Sequence, residues 1–420
     1  MPIALQRWLK IALFNLCLVA TIGCILRYKI VYPLPFLDQK NLLHAHSHFA
    51  FTGWITQALM ALMVATLTRA YGEDIFKKYR WILYANLITA YGMLFTFPVE
   101  GYGVFSISFS TLSIFANYIF AIRFWIDMNR MKQKNTGHYW FRAALLFNVL
   151  SSLGAFGLAW MMATRNIHLQ QYLGAIYFYL HFQYNGWFFF AGMGLLTTQV
   201  FVPVVKERVL KGIFWLFALA CIPAFFLSAF WMSIPVIVFI VVIIAAFMQL
   251  VGWVWMLGLI KQQQAYIKTL FPKPARRILM LSAIALCIKL LLQLGSTIPS
   301  LSNLAFGFRP IVIGYLHLVL LGVITLFLLG YMTGCAFLFS NKSLSWGVTI
   351  FAAGIIINEV FLMIQGAGGM GYITIPYLNE SLLVAACIMM TGILTITLSQ
   401  FKKRKNDLNH KTSNANVPHL

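Results

Sequence analysis

The chain has 420 residues, of which 61% are hydrophobic and 10% are charged, and its mean hydropathy is +0.82. One soluble core cannot bury so much apolar surface, so the composition excludes a soluble globular protein and indicates a polytopic membrane protein. The net charge of +22 would suit a nucleic-acid-binding protein, but the basic residues cluster in alternate loops, which excludes that class.

Apolar runs of about 20 residues, the length that crosses a hydrocarbon core of about 30 Å, predict twelve transmembrane helices. In chain order they cover residues 11–28, 45–68, 81–99, 104–126, 143–163, 172–199, 213–232, 235–260, 278–298, 311–336, 346–364 and 381–400. The alternating pattern of a transmembrane barrel is absent. The predicted fold class is therefore an all-α polytopic membrane protein, with one transmembrane domain over residues 1–400. Residues 401–420 are predicted to form a basic, polar, disordered cytoplasmic tail.

The distribution of Lys and Arg predicts the orientation of these helices. With a cytoplasmic N-terminus, 25 of the 31 Lys and Arg residues lie in inner segments and five lie in outer ones, while Lys289 lies within a span. Because positive residues are retained on the cytoplasmic side, both termini are expected inside. The expected location is a bacterial-type inner membrane, with the lipid bilayer as the surrounding partner.

Five of the nine histidines lie in predicted spans, where ionisable side chains are costly and mark candidate functional sites. His44, His46 and His48 open the second helix in the stretch LLHAHSHFAFTGW, His181 lies in the sixth helix and His317 in the tenth. Even-numbered helices all run inward in this topology, so the five imidazoles lie in the outer half of the bilayer. Their spacing, four helices apart, suggests three repeats of a four-helix unit.

Helical geometry divides the histidine triplet between two sides. His44 and His48 are four residues apart and share a face, whereas His46 is turned by about 200° from His44. One helix can therefore serve two centres. Neutral imidazole is a usual ligand of copper, iron and zinc, but histidines in membrane helices also form interhelical hydrogen bonds or pH-sensitive polar clusters. All of these interpretations stay open at this point.

The stretch HAHSHFAFTGW resembles the heme-binding HxH helix of heme-copper oxidase catalytic subunits, especially their C-type branch. It also resembles the HAHE start of the second helix in the NnrS family. Members of that family are bacterial membrane proteins of twelve helices that bind heme and copper and are associated with nitric oxide stress. The segment GYLHLVLLGVITLFLLGYMTG around His317 is similar to the later histidine helix of the NnrS family.

The resemblance implies a fold like heme-copper oxidase subunit I, with b-type heme and copper as cofactors. It implies a role in nitric oxide or oxygen handling or in electron transfer, with a diatomic gas or a redox partner. It assigns cofactor binding to His46, His317 and Arg309, and metal binding to His44, His48 and His181. Arg309 would pair with a heme propionate, and the alternative is that it is an ordinary interface anchor. A complete oxygen reductase needs six histidines, including an adjacent pair on the seventh helix, and FWLFALACIPAFFLSAF contains none. The expected activity is therefore at most that of a heme-copper oxidoreductase without full oxygen reduction.

Four further residues are candidates for supporting roles: Glu100, Tyr184, Lys289 and Glu359. Glu100 lies near the depth of the triplet and is either a hydrogen-bond partner of a ligand imidazole or an exposed loop acid. Tyr184 places a phenol three residues after His181. Lys289 lies near mid-membrane and either joins a proton path or pairs with an acid or a propionate. Glu359, in the eleventh helix, is a proton-relay group, a further ligand or a structural hydrogen-bonding residue.

Two other classes of function use the same residues. A copper or zinc transporter or metal-delivery protein would use the histidines as an outer entry site, and it needs polar residues along a path to the cytoplasm. Below the histidines the spans contain only Lys289 and scattered Asn, Ser and Thr. A structural membrane component would only hydrogen-bond its histidines. The glycine clusters contain no nucleotide-binding motif, and the run QGAGGMGYITIPY after the eleventh helix is expected to form an outer loop.

Overall fold

The computed structural model describes residues 3–72, 74–232, 234–301 and 308–401, apart from the Arg69 side chain. Within these ranges the chain is helical and contains no strand. The uninterrupted helices are α1 Ile3–Val31, α3 Ile75–Glu100, α4 Val104–Asn129, α5 Gly137–Ala163, α7 Glu207–Cys221, α8 Val236–Gln262, α9 Lys273–Gly295, α11 Lys342–Met370 and α12 Leu378–Phe401. A short helix, Gln264–Leu270, lies between α8 and α9.

Three further helices alternate between α-helical and π-helical segments. The second, α2, consists of Gln39–Phe49, the π-helical Ala50–Thr56 and Gln57–Tyr71. The sixth, α6, consists of Leu169–His181, the π-helical Phe182–Phe188, Phe189–Leu196 and the π-helical Thr197–Phe201. The tenth, α10, consists of Arg309–His317, the π-helical Leu318–Thr325 and Leu326–Gly334.

Ten helices in the described part of the chain are long and apolar enough to cross a membrane, namely α1 to α5 and α8 to α12. This agrees with the predicted class of a polytopic all-α membrane protein. The predicted sixth and seventh spans do not belong to this set. The middle of α6 contains His181, Gln183 and Asn185, which lower its hydropathy, and α7 has only 15 residues.

The predicted seventh helix, over residues 213–232, is wrong in its second half. The α-helix ends at Cys221 and a 3-10 segment, Pro223–Ser228, follows it. Proline lacks a backbone N–H and its ring clashes with the preceding turn, so an α-helix rarely continues through it. The α-helix therefore ends before the predicted end of this span.

Most helices extend beyond their predicted limits, and the extensions of α1 and α2 concern residues near the candidate site. The Asp38 side chain accepts a hydrogen bond from the Asn41 backbone N–H at 2.8 Å, so α2 begins at Gln39 rather than at residue 45. Such a cap satisfies an otherwise unpaired N–H group of the first turn. The histidine triplet therefore lies in the second and third turns of α2. At its C-terminal end α1 continues to Val31, which places Arg27 within a helix instead of the predicted outer loop.

The glycine-rich run after the predicted eleventh helix does not begin an outer loop, because α11 continues to Met370. A Cβ atom at Gly366 would lie 2.6 Å from Ile311 Cγ1, so the missing side chain allows α10 to pack closely against α11. The free energy of this close packing offsets the low helix propensity of glycine. The predicted basic tail lies outside the described residues after Phe401.

Buried polar contacts join the helices that surround the histidines. Asn15 of α1 is fully buried. Its Nδ2 donates to the Gly53 carbonyl at 2.6 Å, and its Oδ1 accepts from the Tyr91 hydroxyl at 2.8 Å. Within an apolar bundle these partners remove the cost of burying an amide. The contacts therefore fix α1 and α3 against the π-helical segment of α2.

Asp127, near the end of α4, is a buried carboxylate that the sequence did not single out. It accepts from Lys78 Nζ at 2.5 Å and from the Tyr79 hydroxyl at 2.8 Å, and Arg123 Nε lies 3.6 Å from it. The carboxylate is 1% exposed and Tyr79 is fully buried. Asp127 therefore joins the start of α3 to the end of α4.

Replacing Asp127 with Ala should lower the free energy of unfolding by about 1–3 kcal/mol, because the buried Tyr79 hydroxyl loses its acceptor. Thermal unfolding of the purified variant in detergent measures this loss. Asp74→Ala is the matched control, since its ion pair with Lys77 is about 80% exposed on both sides and should contribute only a few tenths of a kcal/mol. Equal effects of the two substitutions would show that Asp127 is not a structural anchor.

Candidate functional site

Each of the three helices with candidate histidines changes from α- to π-helical geometry directly after its last histidine. The π-helical segment begins two residues after His48, one residue after His181 and one residue after His317. π-Helical turns are rare and are often found at functional sites, where they shift the side chains out of regular helical register. The same change from α- to π-helical geometry therefore follows the histidines of α2, α6 and α10.

Two tryptophans connect the three π-helical segments. Trp54 Nε1 of α2 donates to Thr325 Oγ1 of α10 at 3.0 Å. Trp187 Nε1 of α6 donates to Thr56 Oγ1 of α2 at 3.3 Å. Both indoles are at most 1% exposed, and a buried indole N–H needs an acceptor. The histidines therefore lie beside a junction where α2, α6 and α10 meet.

The histidine triplet divides between two sides of α2, as helical rotation predicts. A Cβ atom at Gly23 of α1 would lie 3.3 Å from His46 Cε1, so His46 faces α1. On the opposite side, the His44 ring lies 4.6 Å from the Tyr102 ring, and the His48 ring stacks on Phe97 at 4.5 Å. Burial raises the pKa of Tyr102 to about 12, so this phenol stays protonated beside His44 at neutral pH.

His46 and His317 lie together in a polar cluster made by four helices. The two imidazoles are close enough to interact electrostatically, and both interact with Arg27 of α1. Arg27 also interacts with Glu359 of α11. A Cβ atom at Gly314, one turn before His317, would lie 3.7 Å from Glu359 Oε2. We call Arg27, His46, His317 and Glu359 the histidine cluster.

The two imidazoles of the histidine cluster have unused hydrogen-bonding capacity. The Nδ1 atoms of His46 and His317 are both buried and have no hydrogen-bond partner of normal geometry, yet both residues are only half-buried as a whole. An unpaired buried polar atom costs about 1–3 kcal/mol. The backbone carbonyls of Val19 and Ile313 lie beside the two rings, where a carbonyl can orient a ligand imidazole. Such rings suit ligand binding better than a structural role.

Glu359 has a structural partner as well as its place in the cluster. Its Oε1 accepts a hydrogen bond from Asn358 Nδ2 at 3.2 Å, and Asn358 is 2% exposed. The carboxylate therefore has the Asn358 amide as a hydrogen-bond partner and also interacts electrostatically with the Arg27 guanidinium. This position allows it to balance the charge of Arg27 inside an apolar bundle.

His181 is bonded through both of its ring nitrogens. Nε2 lies 2.8 Å from the Cys221 carbonyl and Nδ1 lies 3.1 Å from Asn185 Nδ2. The amide donates to Nδ1, so Nε2 carries the proton and donates to the carbonyl. The side chain is 1% exposed. In this arrangement His181 has no free nitrogen for a metal, and it acts as a structural residue between α6 and α7.

Tyr184, three residues after His181, is buried and faces α10. Its ring lies 6.3 Å from that of Tyr315, which precedes His317 by two residues. Its hydroxyl group interacts with Ser228, at the end of the 3-10 segment that follows α7. Tyr184 therefore connects the region of His181 to α10 beside the histidine cluster.

Lys289 of α9 lies on the His181 side of the bundle. It is 5% exposed and interacts electrostatically with His181 and Cys221. Together with Asn185 and Gln249 it lines a cavity of about 10 Å³, which has room for about one water molecule. In the described ranges no carboxylate lies within ion-pairing distance of its ammonium group, so the predicted acid partner is not found there.

The remaining predicted residues lie near the ends of helices. The Glu100 carboxylate accepts from the Ser106 backbone N–H at 2.5 Å, so it caps the first turn of α4. Arg309 is exposed at the first residue of α10. At a rise of 1.5 Å per residue it lies about 12 Å along the helix from His317.

Arg27 is the cluster residue that sequence reasoning missed, because it was counted among the outer loop residues. One feature of the sequence points to it. Arg27 follows Gly23 by four residues, so the two share a face of α1, and Gly23 contacts His46. A basic residue on the same face as a helix-packing glycine is a candidate for the interior.

The residues predicted to bind metal do not come together. Across the part of the chain that the structure describes, no three His, Cys, Asp or Glu side chains form a group able to hold a metal ion. His44 and His48 contact aromatic rings, whereas His181 is bonded to α7 and to its own helix.

Comparison with protein-family models gives no match for this chain. Comparison with curated proteins gives no match either. Function is therefore inferred from the histidine cluster and from the sequence motifs that contain its histidines.

Proposed function

We propose that this chain is a multi-pass membrane protein that binds b-type heme between His46 and His317 and acts in electron transfer or in handling nitric oxide or oxygen. The observation that supports this most is the electrostatic interaction between the imidazoles of His46 on α2 and His317 on α10, each of which has a backbone carbonyl beside it. The resemblance of HAHSHFAFTGW to heme-binding helices supports it independently.

The residues of the histidine cluster fit such a cofactor. His46 and His317 approach each other from different helices, and each has a backbone carbonyl beside it. Arg27 would supply the cation for a propionate group, since a guanidinium binds carboxylates bidentately, and the exposed Arg309 would serve a second one. Heme would supply a one-electron centre if both His46 and His317 held it, and a gas-binding site if only one of them did. Electron transfer is therefore the function that two histidine ligands favour.

The proposed topology has twelve spans, with α6 and α7 added to the ten apolar helices. The three repeats of four helices are supported by the π-helical segments that follow the histidines of α2, α6 and α10. An inner-membrane location with both termini in the cytoplasm is supported by the distribution of Lys and Arg.

Copper is not part of the proposal, because the described histidines outside the cluster do not gather into a donor set. A copper or zinc transporter remains a distinguishable alternative. It would load metal at the histidines without heme, and the described polar residues below them do not gather into a metal-binding group on the way to the opposite side.

An absorption spectrum of the purified protein, supplied with heme during expression, tests the proposed function. Reduced-minus-oxidised spectra should show the Soret and α bands of b-type heme, with an equimolar heme content by pyridine hemochrome analysis. A colourless protein with stoichiometric copper or zinc by elemental analysis would overturn the proposal in favour of metal delivery. A protein with neither colour nor metal would overturn it in favour of a structural role.

A further inference from the structure

Two thiols from opposite ends of the chain contact each other. Cys24 of α1 and Cys387 of α12 are close enough for their side chains to interact, and both are free cysteines. Neither residue belongs to the histidine cluster. Because they lie on different helices, a bond between them would join α1 to α12.

The register of the two helices accounts for this contact. Thr397 Oγ1 of α12 donates to the Leu13 carbonyl of α1 at 3.4 Å. Cys24 lies eleven residues after Leu13, and Cys387 lies ten residues before Thr397. Antiparallel helices advance in opposite directions by the same rise per residue, so both contacts belong to one packing seam. The meeting of the thiols therefore follows from the way the backbones pack.

The two sulfur atoms differ in their access to the surroundings. Cys24 is buried between the helices, whereas Cys387 is exposed. Cys387 shares its face of α12 with exposed apolar residues, among them Val384, Leu394 and Leu398. In a transmembrane helix such a face contacts lipid. A lipid-soluble reagent can therefore reach Cys387, while a bulky polar reagent cannot easily reach either sulfur.

We propose that Cys24 and Cys387 form a reversible disulfide whose oxidant is a lipid-soluble quinone. Two S–H bonds break, one S–S bond forms, and the two electrons and two protons reduce the quinone to its quinol. A dithiol reductant restores both thiols by exchange. Because the two cysteines lie at nearly the same level of the seam between α1 and α12, their sulfur atoms can approach to the S–S length of about 2.05 Å.

The disulfide would act beside the histidine cluster. Cys24 directly follows Gly23, which contacts the His46 ring. A covalent link from Cys24 to α12 would restrain α1 at the turn that supports this ring. The thiol pair does not depend on heme binding, so it can be tested on protein with or without the cofactor.

The test uses the full-length protein in lipid nanodiscs, reduced first and then treated with decylubiquinone. After denaturation in detergent and alkylation, mass spectrometry should find a disulfide-linked peptide pair that contains Cys24 and Cys387, and dithiothreitol should remove it. In a maleimide gel-shift assay the treated protein should lose two of its six reactive thiols. The Cys387→Ser variant, changed at an exposed position, should lose no reactive thiol on the same treatment. The Cys24→Ser variant should behave in the same way.

Cys17→Ser is the matched control, because Cys17 lies on α1 about two turns before Cys24. This variant should still form the linked peptide. Treatment with the general thiol oxidant diamide separates the two parts of the proposal. If neither oxidant forms the link, the pair is not a disulfide site. If diamide forms it and the quinone does not, the assignment of the oxidant is wrong.

Discussion

His46→Ala and His317→Ala should each remove most of the b-type heme absorption, whereas His44→Ala should keep it. Losing a residue that only orients a metal ligand costs about 10- to 100-fold in affinity, so losing an axial ligand should cost more. His44 lies two residues before His46 but points to Tyr102 on the other side of α2. Heme content and reduced-minus-oxidised spectra of the purified variants measure the effect.

Addition of imidazole separates ligation from a purely structural role. Imidazole diffusing into the space left in His46→Ala should restore part of the absorption bands, because it replaces the missing nitrogen and not the packing of the helix. A structural defect would not respond to imidazole. Retention of heme in His46→Ala together with its loss in His44→Ala would contradict the assignment of the cofactor to the α1 side of α2.

Hydropathy alone predicts most of the fold, because a membrane helix must satisfy its backbone hydrogen bonds internally over a fixed length. It fails where local chemistry sets the boundary. The Asp38 cap extends α2 and Pro223 shortens the predicted seventh helix. In α11, glycines that look like a loop are helical because Gly366 packs against Ile311. These three features depend on capping, on proline geometry and on side-chain packing, none of which hydropathy contains.

The candidate site, like the fold, could be predicted only in part from the sequence. Helical rotation correctly separates His46 from His44 and His48, because it depends only on residue spacing. Whether a given histidine is free depends on its tertiary contacts. His181 looks equivalent to His317 in sequence, yet its nitrogens are bonded to Cys221 and Asn185. The π-helical segments likewise could not be predicted, because they depend on packing between distant parts of the chain.

Gly23→Val should weaken heme binding by about 5- to 150-fold, because overpacking a well-packed site costs about 1–3 kcal/mol. Even the first added atom, Cβ, would lie 3.3 Å from His46 Cε1, and the two methyl groups of valine need further space. The His46 ring must then move away from α1, which displaces the nitrogen that would ligate iron. Titration of the heme-free protein with heme, followed in the Soret region, measures the change in Kd.

Gly258→Val is the control that separates this effect from the general effect of replacing a helical glycine with valine. Gly258 also lies inside an apolar helix, α8, but a Cβ atom there would meet nothing within 4 Å. The change in helix propensity from glycine to valine is comparable at the two positions, so the variants should differ mainly through contact with His46. Equal heme affinities for the two variants would mean that α1 does not position this imidazole. Weaker heme binding in Gly23→Val alone would instead show that α1 forms one wall of the cofactor site. Contact with His46 is what distinguishes the two positions.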